Sequence, residues 1–229
     1  MKTPLSLKLV FAVASLTFSN AALSAATSFS SNLSSLGANL EVADADGFGS
    51  NGTTSNEVTL SSSGATFSAA GGNEARNYIR TTGTDYGTVD FTAEVTWNGS
   101  GTLFLGFGGG NVGTYGCPDW DVADSLWLEL NGTAVGAFQT TVQGSGRTNA
   151  NIGAFSAPIG GGLTTIRWQY TAATKSIQFF ADNNRSGAFV ADASSPIFSL
   201  TSNLILTDPS DRASIFFGGQ SGTFTDFAV

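Results

Sequence analysis

Histidine is absent from this chain of 229 residues. Catalysis by Ser-His-Asp or Cys-His arrangements requires an imidazole to take the proton, so both arrangements are excluded. Zinc and copper sites that depend on histidine ligands are excluded for the same reason. The chemistry that remains uses carboxylates, tyrosine, arginine or metal ions held by oxygen ligands.

Cysteine is almost as scarce, because Cys117 is the single one in the sequence. No disulfide can form within the chain, and a folded domain must take its stability from its core. Two roles remain open for Cys117. It is either a small buried apolar residue or a thiol that forms a bridge to another molecule.

Positive charge is also sparse, with 9 Lys and Arg against 17 Asp and Glu and a formal net charge of -8. The basic residues are scattered singly, and Lys175 is the last lysine in the sequence. Phosphate backbones and anionic membranes attract clustered positive charge. We therefore expect neither nucleic acid nor a membrane surface as a partner.

The N-terminus has the pattern of a secretory signal peptide. Lys2 and Lys8 precede an apolar run over residues 9–18, and small residues follow up to Ala26. The run is about ten residues long, whereas a spanning helix needs roughly 20. We predict a signal peptide over residues 1–25, a single domain over residues 26–229, and a secreted protein in an extracellular or periplasmic location. Loss of the two lysines would change the net charge from -8 to -10.

Alternation of apolar and polar residues predicts an almost entirely β domain. In residues 88–97, apolar side chains fall at every second position, from Val89 to Trp97. In residues 125–130, three leucines share one side, and Trp127 and Glu129 fall on the polar side of the strand. Period-2 patterns of this kind indicate strands with one buried face.

The most distinctive stretch is residues 163–182, which we predict to be a hairpin. Ile166, Trp168 and Tyr170 share one face of its first strand, and Arg167 and Gln169 share the other. A polar turn of about five residues separates this strand from a second apolar strand. We expect the three apolar side chains to face the core, which makes the hairpin a framework element.

Further short strands are predicted between turn residues along the whole chain. Their ranges are 57–60, 65–69, 77–82, 102–107, 134–142, 197–200, 203–206, 213–217 and 223–229. Residues 28–40 have apolar side chains at helical spacing and predict a short helix, and the polar residues 143–162 predict a long surface connection. About a dozen strands in one domain are typical of a two-sheet antiparallel jelly-roll sandwich.

Residues 115–129 combine aromatic and acidic side chains. Aromatic faces stack on sugar rings and carboxylates accept hydrogen bonds from sugar hydroxyls, so this mixture suits a glycan. The candidate carbohydrate contacts are Tyr115, Trp120, Trp127 and Glu129. The alternative interpretation is a surface loop of solvated aspartates that leads into a core strand.

Asp119, Asp121 and Asp124 are the candidate metal ligands, because Ca²⁺ is bound by carboxylate and carbonyl oxygens. Asp44 and Asp46 form a second acidic turn, but the sequence that follows them departs from the calcium-loop pattern. A solvated acidic turn is the better explanation of those two residues. Ca²⁺ is thus a candidate cofactor and no other is indicated.

Several segments resemble one known superfamily. They are VDFTAEVTW, TLFLGFGGG, SLWLELNG, LTTIRWQYTAATKSIQFFAD and ASIFFGGQSGTFTDFAV. Together they are similar to the concanavalin A-like lectin/glucanase superfamily, in its laminin-G-like and bacterial secreted branches, over about residues 88–229. The resemblance implies two curved antiparallel sheets with carbohydrate on the concave face or rim.

Within the same superfamily, the spacing of Asp119, Asp121 and Asp124 resembles the laminarinase-type glycosidase motif. That motif has Glu at its outer positions, where this chain has Asp. If the resemblance extends to activity, it implies that Asp119 is the nucleophile and Asp124 the acid/base. The function we expect is non-enzymatic carbohydrate binding by a secreted protein. The alternatives are an adhesive or structural extracellular protein without a small ligand, and a glycoside hydrolase.

Overall fold

The computed structural model describes residues 28–43, 58–68, 78–98, 102–108, 125–131, 134–143, 146–154, 163–199, 213–219 and 221–229. Within these residues the chain forms strands almost throughout. The one helical element among them is a 3-10 turn at Tyr86–Thr88. No helix in the described part of the chain is long and apolar enough to span a membrane.

The strands are numbered in chain order. They are β1 (Ser30–Ser31), β2 (Leu40–Ala43), β3 (Val58–Ser61), β4 (Gly64–Ser68), β5 (Tyr78–Thr81), β6 (Phe91–Asn98), β7 (Thr102–Gly108), β8 (Ser125–Asn131), β9 (Ala134–Gln143), β10 (Gly146–Ala154), β11 (Leu163–Thr171), β12 (Ser176–Asn183), β13 (Ala193–Ser194), β14 (Phe198–Ser199), β15 (Ser214–Gly219) and β16 (Ser221–Ala228).

These strands form two antiparallel sheets. Sheet A has the order β13-β12-β11-β6-β16-β4-β3, with β1 paired to β16 and β14 paired to β12. Sheet B has the order β10-β9-β8-β7-β15-β5-β2. The predicted all-β, two-sheet antiparallel sandwich is therefore confirmed.

The core lies between the two sheets and follows the predicted alternation. Ile166, Trp168 and Tyr170 of β11 are at most 2% exposed, and their neighbours on β6, from Phe91 to Trp97, are buried at every second position. The predicted hairpin is also present, because β11 pairs with β12 across a turn over residues 172–175. Removal of these large apolar side chains from water is the main stabilising contribution to the fold.

Aromatic rings connect the two sheets. Phe217 of β15, in sheet B, lies 5.1 Å from Phe224 and 4.9 Å from Phe227, both in β16 of sheet A, measured between ring centroids. The two strands are separated by residue 220 alone, so the chain passes directly from one sheet to the other. This contact fixes the sheets against each other at the C-terminus.

Two sequence predictions are wrong. Residues 28–40 form no helix: Phe29 exchanges backbone hydrogen bonds with Val229, at 3.2 and 3.0 Å, and the segment continues into β2. Residues 143–162 do not form one long connection, because β10 occupies Gly146–Ala154 and pairs with β9. β10 lies at the edge of sheet B, where backbone pairing holds a strand that lacks apolar alternation.

Candidate functional site

Most of the predicted site residues lie outside the described residues. These are Tyr115, Asp119, Trp120, Asp121 and Asp124, together with Cys117, Asp44 and Asp46. Their roles in glycan binding, Ca²⁺ binding or hydrolysis remain predictions.

Trp127 and Glu129 lie in β8, between β9 and β7 of sheet B. Pairing with β7 sets Leu128 opposite Leu105 and Leu130 opposite Leu103, and both of these β7 leucines are 0% exposed in the core. Successive residues of a strand point to opposite faces. Positions 127 and 129 therefore belong to the outer face of sheet B, as the sequence pattern predicted.

Residues that are paired on adjacent strands of sheet B form a row across this outer face. Phe216 pairs with Arg80 on one side and Gly106 on the other, Gly106 pairs with Trp127, and Trp127 pairs with Phe138. Phe216 is only 1% exposed, so the β15 part of this face is covered.

Outer-face residues of β5 are held in place by neighbouring strands. Tyr78 packs against Phe216 with 5.8 Å between ring centroids. Arg80 donates from Nε to Glu41 Oε1 of β2 at 2.6 Å. The side chains at the β5 end of the row are thus held in place by contacts with β15 and β2.

A groove of about 890 Å³ lies on the outer face of sheet A, and the sequence did not indicate it. Its floor comes from Glu94 and Thr96 of β6, Thr165 of β11 and Asp226 of β16. One wall is the N-terminal segment around β1, and the loop after β12 forms the other. We call this feature the sheet A groove.

Two arginines hold Glu94 at the bottom of the groove. Arg185 donates from Nη1 to Glu94 Oε2 at 2.7 Å, and Arg167 donates from Nε to Oε1 at 2.8 Å and also from Nη2. Burial by itself would raise the pKa of Glu94, but the hydrogen bonds and charges of Arg185 and Arg167 outweigh that effect, and the pKa is lowered. Glu94 is therefore a carboxylate in the folded chain.

The loop over residues 184–192 is fastened to the outer face of sheet A. Asp182 accepts a hydrogen bond from the Val190 backbone N–H at 2.8 Å, and Asp192 accepts one from Asn183 at 2.8 Å. The Phe189 ring lies over the Arg167 guanidinium, 3.8 Å from ring centroid to Cζ, in a cation–π contact. These contacts fix the wall that contains Arg185.

The opposite wall is fixed as well. Phe29 packs on Phe227, with 5.7 Å between ring centroids. Leu33 is 0% exposed although its φ is 59°, a left-handed conformation that non-glycine residues rarely adopt. Its backbone N–H donates to Ser31 Oγ at 3.0 Å, which stabilises this turn. The wall is a fixed part of the sandwich.

Among the described residues no three His, Cys, Asp or Glu side chains are grouped closely enough to hold a metal ion. The sequence did not reveal the groove because its residues come from five distant parts of the chain. The one available signal was the position of Glu94 and Arg167 on the polar side of two strongly alternating strands.

No protein-family model matches the sequence, and no curated protein matches it. Solved structures similar to the chain include a winged bean acidic lectin in complex with methyl-α-D-galactose. It has 11% identity and a TM-score of 0.48, and the match covers 88% of this chain and 97% of that one.

Two further matches are an enzyme and a lectin-like protein. Arcelin-5, a lectin-like defence protein from Phaseolus vulgaris, has 12% identity and a TM-score of 0.45, with 89% and 95% of the two chains covered. An endo-1,3-beta-glucanase from Streptomyces sioyaensis has 12% identity and a TM-score of 0.44, with 88% and 95% covered.

Proposed function

We propose that this chain is a secreted, non-enzymatic, carbohydrate-binding β-sandwich whose glycan lies on the outer face of sheet B, over β8. The observation that supports it most directly is the β7–β8 register, which assigns Trp127 and Glu129 to the face that points away from the core. An aromatic and a carboxylate two residues apart on one strand face are about 7 Å apart. That separation suits one sugar ring and an adjacent hydroxyl.

The neighbouring position on β7 favours the same role. Gly106 is opposite Trp127 and contributes no side chain of its own beside the tryptophan position. Arg80 at the β5 end of the row is already bound to Glu41. A sugar over β8 would stack on Trp127 and donate hydroxyl hydrogen bonds to Glu129. Tyr115 and Trp120 complete the proposed site.

The direct test is a glycan-binding screen of the chain, with and without Ca²⁺, combined with an assay for released reducing sugar. We expect binding to at least one polysaccharide and no release of sugar. Release that disappears in Asp119→Asn and Asp124→Asn would assign a glycoside hydrolase instead. Absence of both binding and release on every polysaccharide would leave an adhesive or structural protein.

Trp127→Ala locates the binding site. We expect at least about a tenfold loss of glycan affinity, because a stacked aromatic anchor is removed. The free energy of unfolding should change by less than about 1 kcal/mol, as for other outer-face substitutions. Gln169→Ala is the control, since Gln169 is exposed on sheet A outside the groove. Unchanged affinity in Trp127→Ala would remove β8 from the site.

A further inference from the structure

We propose that the sheet A groove is a second carbohydrate-binding site, which takes a short neutral saccharide on the opposite side of the sandwich from β8. The inference takes its ligand class from the proposed function, but its location and polarity come from the groove alone. Two sites on opposite outer faces would allow one molecule to bridge two glycan chains.

Asp226 supplies a free acceptor in the groove. It is exposed on β16, opposite Thr96 in the register, and no other described residue forms a hydrogen bond or ion pair with it. A carboxylate with all its acceptor positions available can receive two neighbouring sugar hydroxyls. The side chains of Glu94 and Arg185, 23% and 27% exposed, offer a further acceptor and donors in the same groove.

The charge of the groove favours a neutral ligand. Glu94 is paired with two arginines, and this cluster has one net positive charge, which the carboxylate of Asp226 balances. A phosphate or carboxylate ligand would meet Asp226 and an Arg185 whose Nη1 is already bound to Glu94. A metal ion would find no group of three acidic, histidine or cysteine ligands among the described residues. Hydroxyl groups, which both donate and accept, match this lining.

Size and apolar surface also fit a saccharide. The volume of about 890 Å³ lies within the usual range of small-ligand sites, about 300–1,000 Å³. Leu163 is 38% exposed at the edge of the groove, and Leu36 contributes from the N-terminal wall. These side chains provide apolar contact for the C–H faces of sugar rings.

Both walls are fixed before a ligand arrives. The Phe29 backbone pair with Val229 holds the N-terminal wall. On the loop wall, Arg185 is held by Glu94 at 2.7 Å and donates from Nε to the Gly187 carbonyl at 3.0 Å. A site that is already ordered loses little conformational entropy on binding.

The test is calorimetric titration of the full chain with neutral oligosaccharides that bind in the glycan screen. We expect two molecules bound per chain. Asp226→Asn should weaken one of the two binding events by at least about fivefold, through loss of charge-assisted hydrogen bonds. Asp90→Asn is the matched control, because it makes the same charge change on an exposed residue outside the groove and retains an acceptor for the Ala172 backbone N–H.

The outcomes separate the two sites. Weakening in Asp226→Asn, with Asp90→Asn unchanged, supports the groove whether or not Trp127→Ala has an effect. Binding that is lost in Trp127→Ala and unchanged in Asp226→Asn would overturn the second site and leave the proposed function intact. Weakening in both aspartate variants would reflect net charge and would also overturn it. No binding in the unmodified chain would overturn both.

Discussion

Glu94 and Arg185 are separated by 91 residues in sequence, yet Arg185 Nη1 lies 2.7 Å from Glu94 Oε2. The contact joins β6, at the centre of sheet A, to the loop that follows β12. It fixes one wall of the sheet A groove and determines where the cationic side chain of that groove is placed.

Glu94→Gln should lower the free energy of unfolding by about 1–2 kcal/mol at neutral pH, because it removes charge-assisted hydrogen bonds to two arginines. Chemical denaturation provides the measurement. Glu41→Gln is the control: its bridge to Arg80 has a glutamate side chain that is 46% exposed, and we expect less than about 1 kcal/mol. Equal losses in the two variants would contradict the assigned role of Glu94.

The contribution of Glu94 to the free energy of unfolding should also depend on pH in the acid range. The pKa of Glu94 is lowered in the folded chain, so its contribution is fully present above the unfolded value of about 4.3 and is lost as the pH falls through the folded value. The difference in unfolding free energy between wild type and Glu94→Gln should be constant from neutral pH to about pH 5 and should shrink below it. A difference that grows in acid would have the wrong sign.

Tyr170 should ionise only at strongly alkaline pH. Burial raises its pKa to about 12, with the negative charges of Asp85 and Asp90 adding to the effect. The group therefore stabilises the fold below about pH 10 and loses that contribution as the pH rises toward 12. Tyr170→Phe should remove the ionisation near pH 12 from a spectrophotometric titration, and Tyr86→Phe should leave it in place.

Gly64→Ala should destabilise the chain by about 3–5 kcal/mol. Gly64 has a φ of 113°, and an added methyl group would overlap the Phe224 carbonyl oxygen of β16. Gly187→Ala is the matched control, because Gly187 has a φ of 130° with open space around it. In Gly187→Ala, backbone strain alone should lower the free energy of unfolding by about 1–2 kcal/mol. Thermal or chemical unfolding of the two variants would separate strain from overlap.

Trp168→Phe should cost much less than Trp168→Ala. The Trp168 ring is fully buried, and no described residue accepts a hydrogen bond from its Nε1. Phenylalanine removes that unsatisfied donor, which offsets part of the lost packing, so we expect a loss of about 1 kcal/mol. Alanine leaves a cavity and should cost about 3–5 kcal/mol. Similar losses for both variants would indicate that the indole N–H is satisfied.

The sequence alone determined the sandwich and the faces of its best strands. Alternation along β6 and β11 is a local property, because each strand buries every second side chain, and Trp97 and Trp168 are buried as that pattern requires. The leucines of β8 specified in the same way that Trp127 and Glu129 belong to the outer face.

Only the tertiary structure decided the rest. Phe29, Leu33 and Leu40 have helical spacing, but the backbone of Phe29 pairs with Val229 and Leu40 pairs with Thr81 of β5 instead. β10 gains its order from pairing with β9 and has no apolar pattern to reveal it. The sheet A groove depends on contacts such as the hydrogen bond between Glu94 and Arg185, which are 91 residues apart in sequence. A contact of this kind leaves no periodic signal in the sequence, because the two side chains meet only when the sheets have formed.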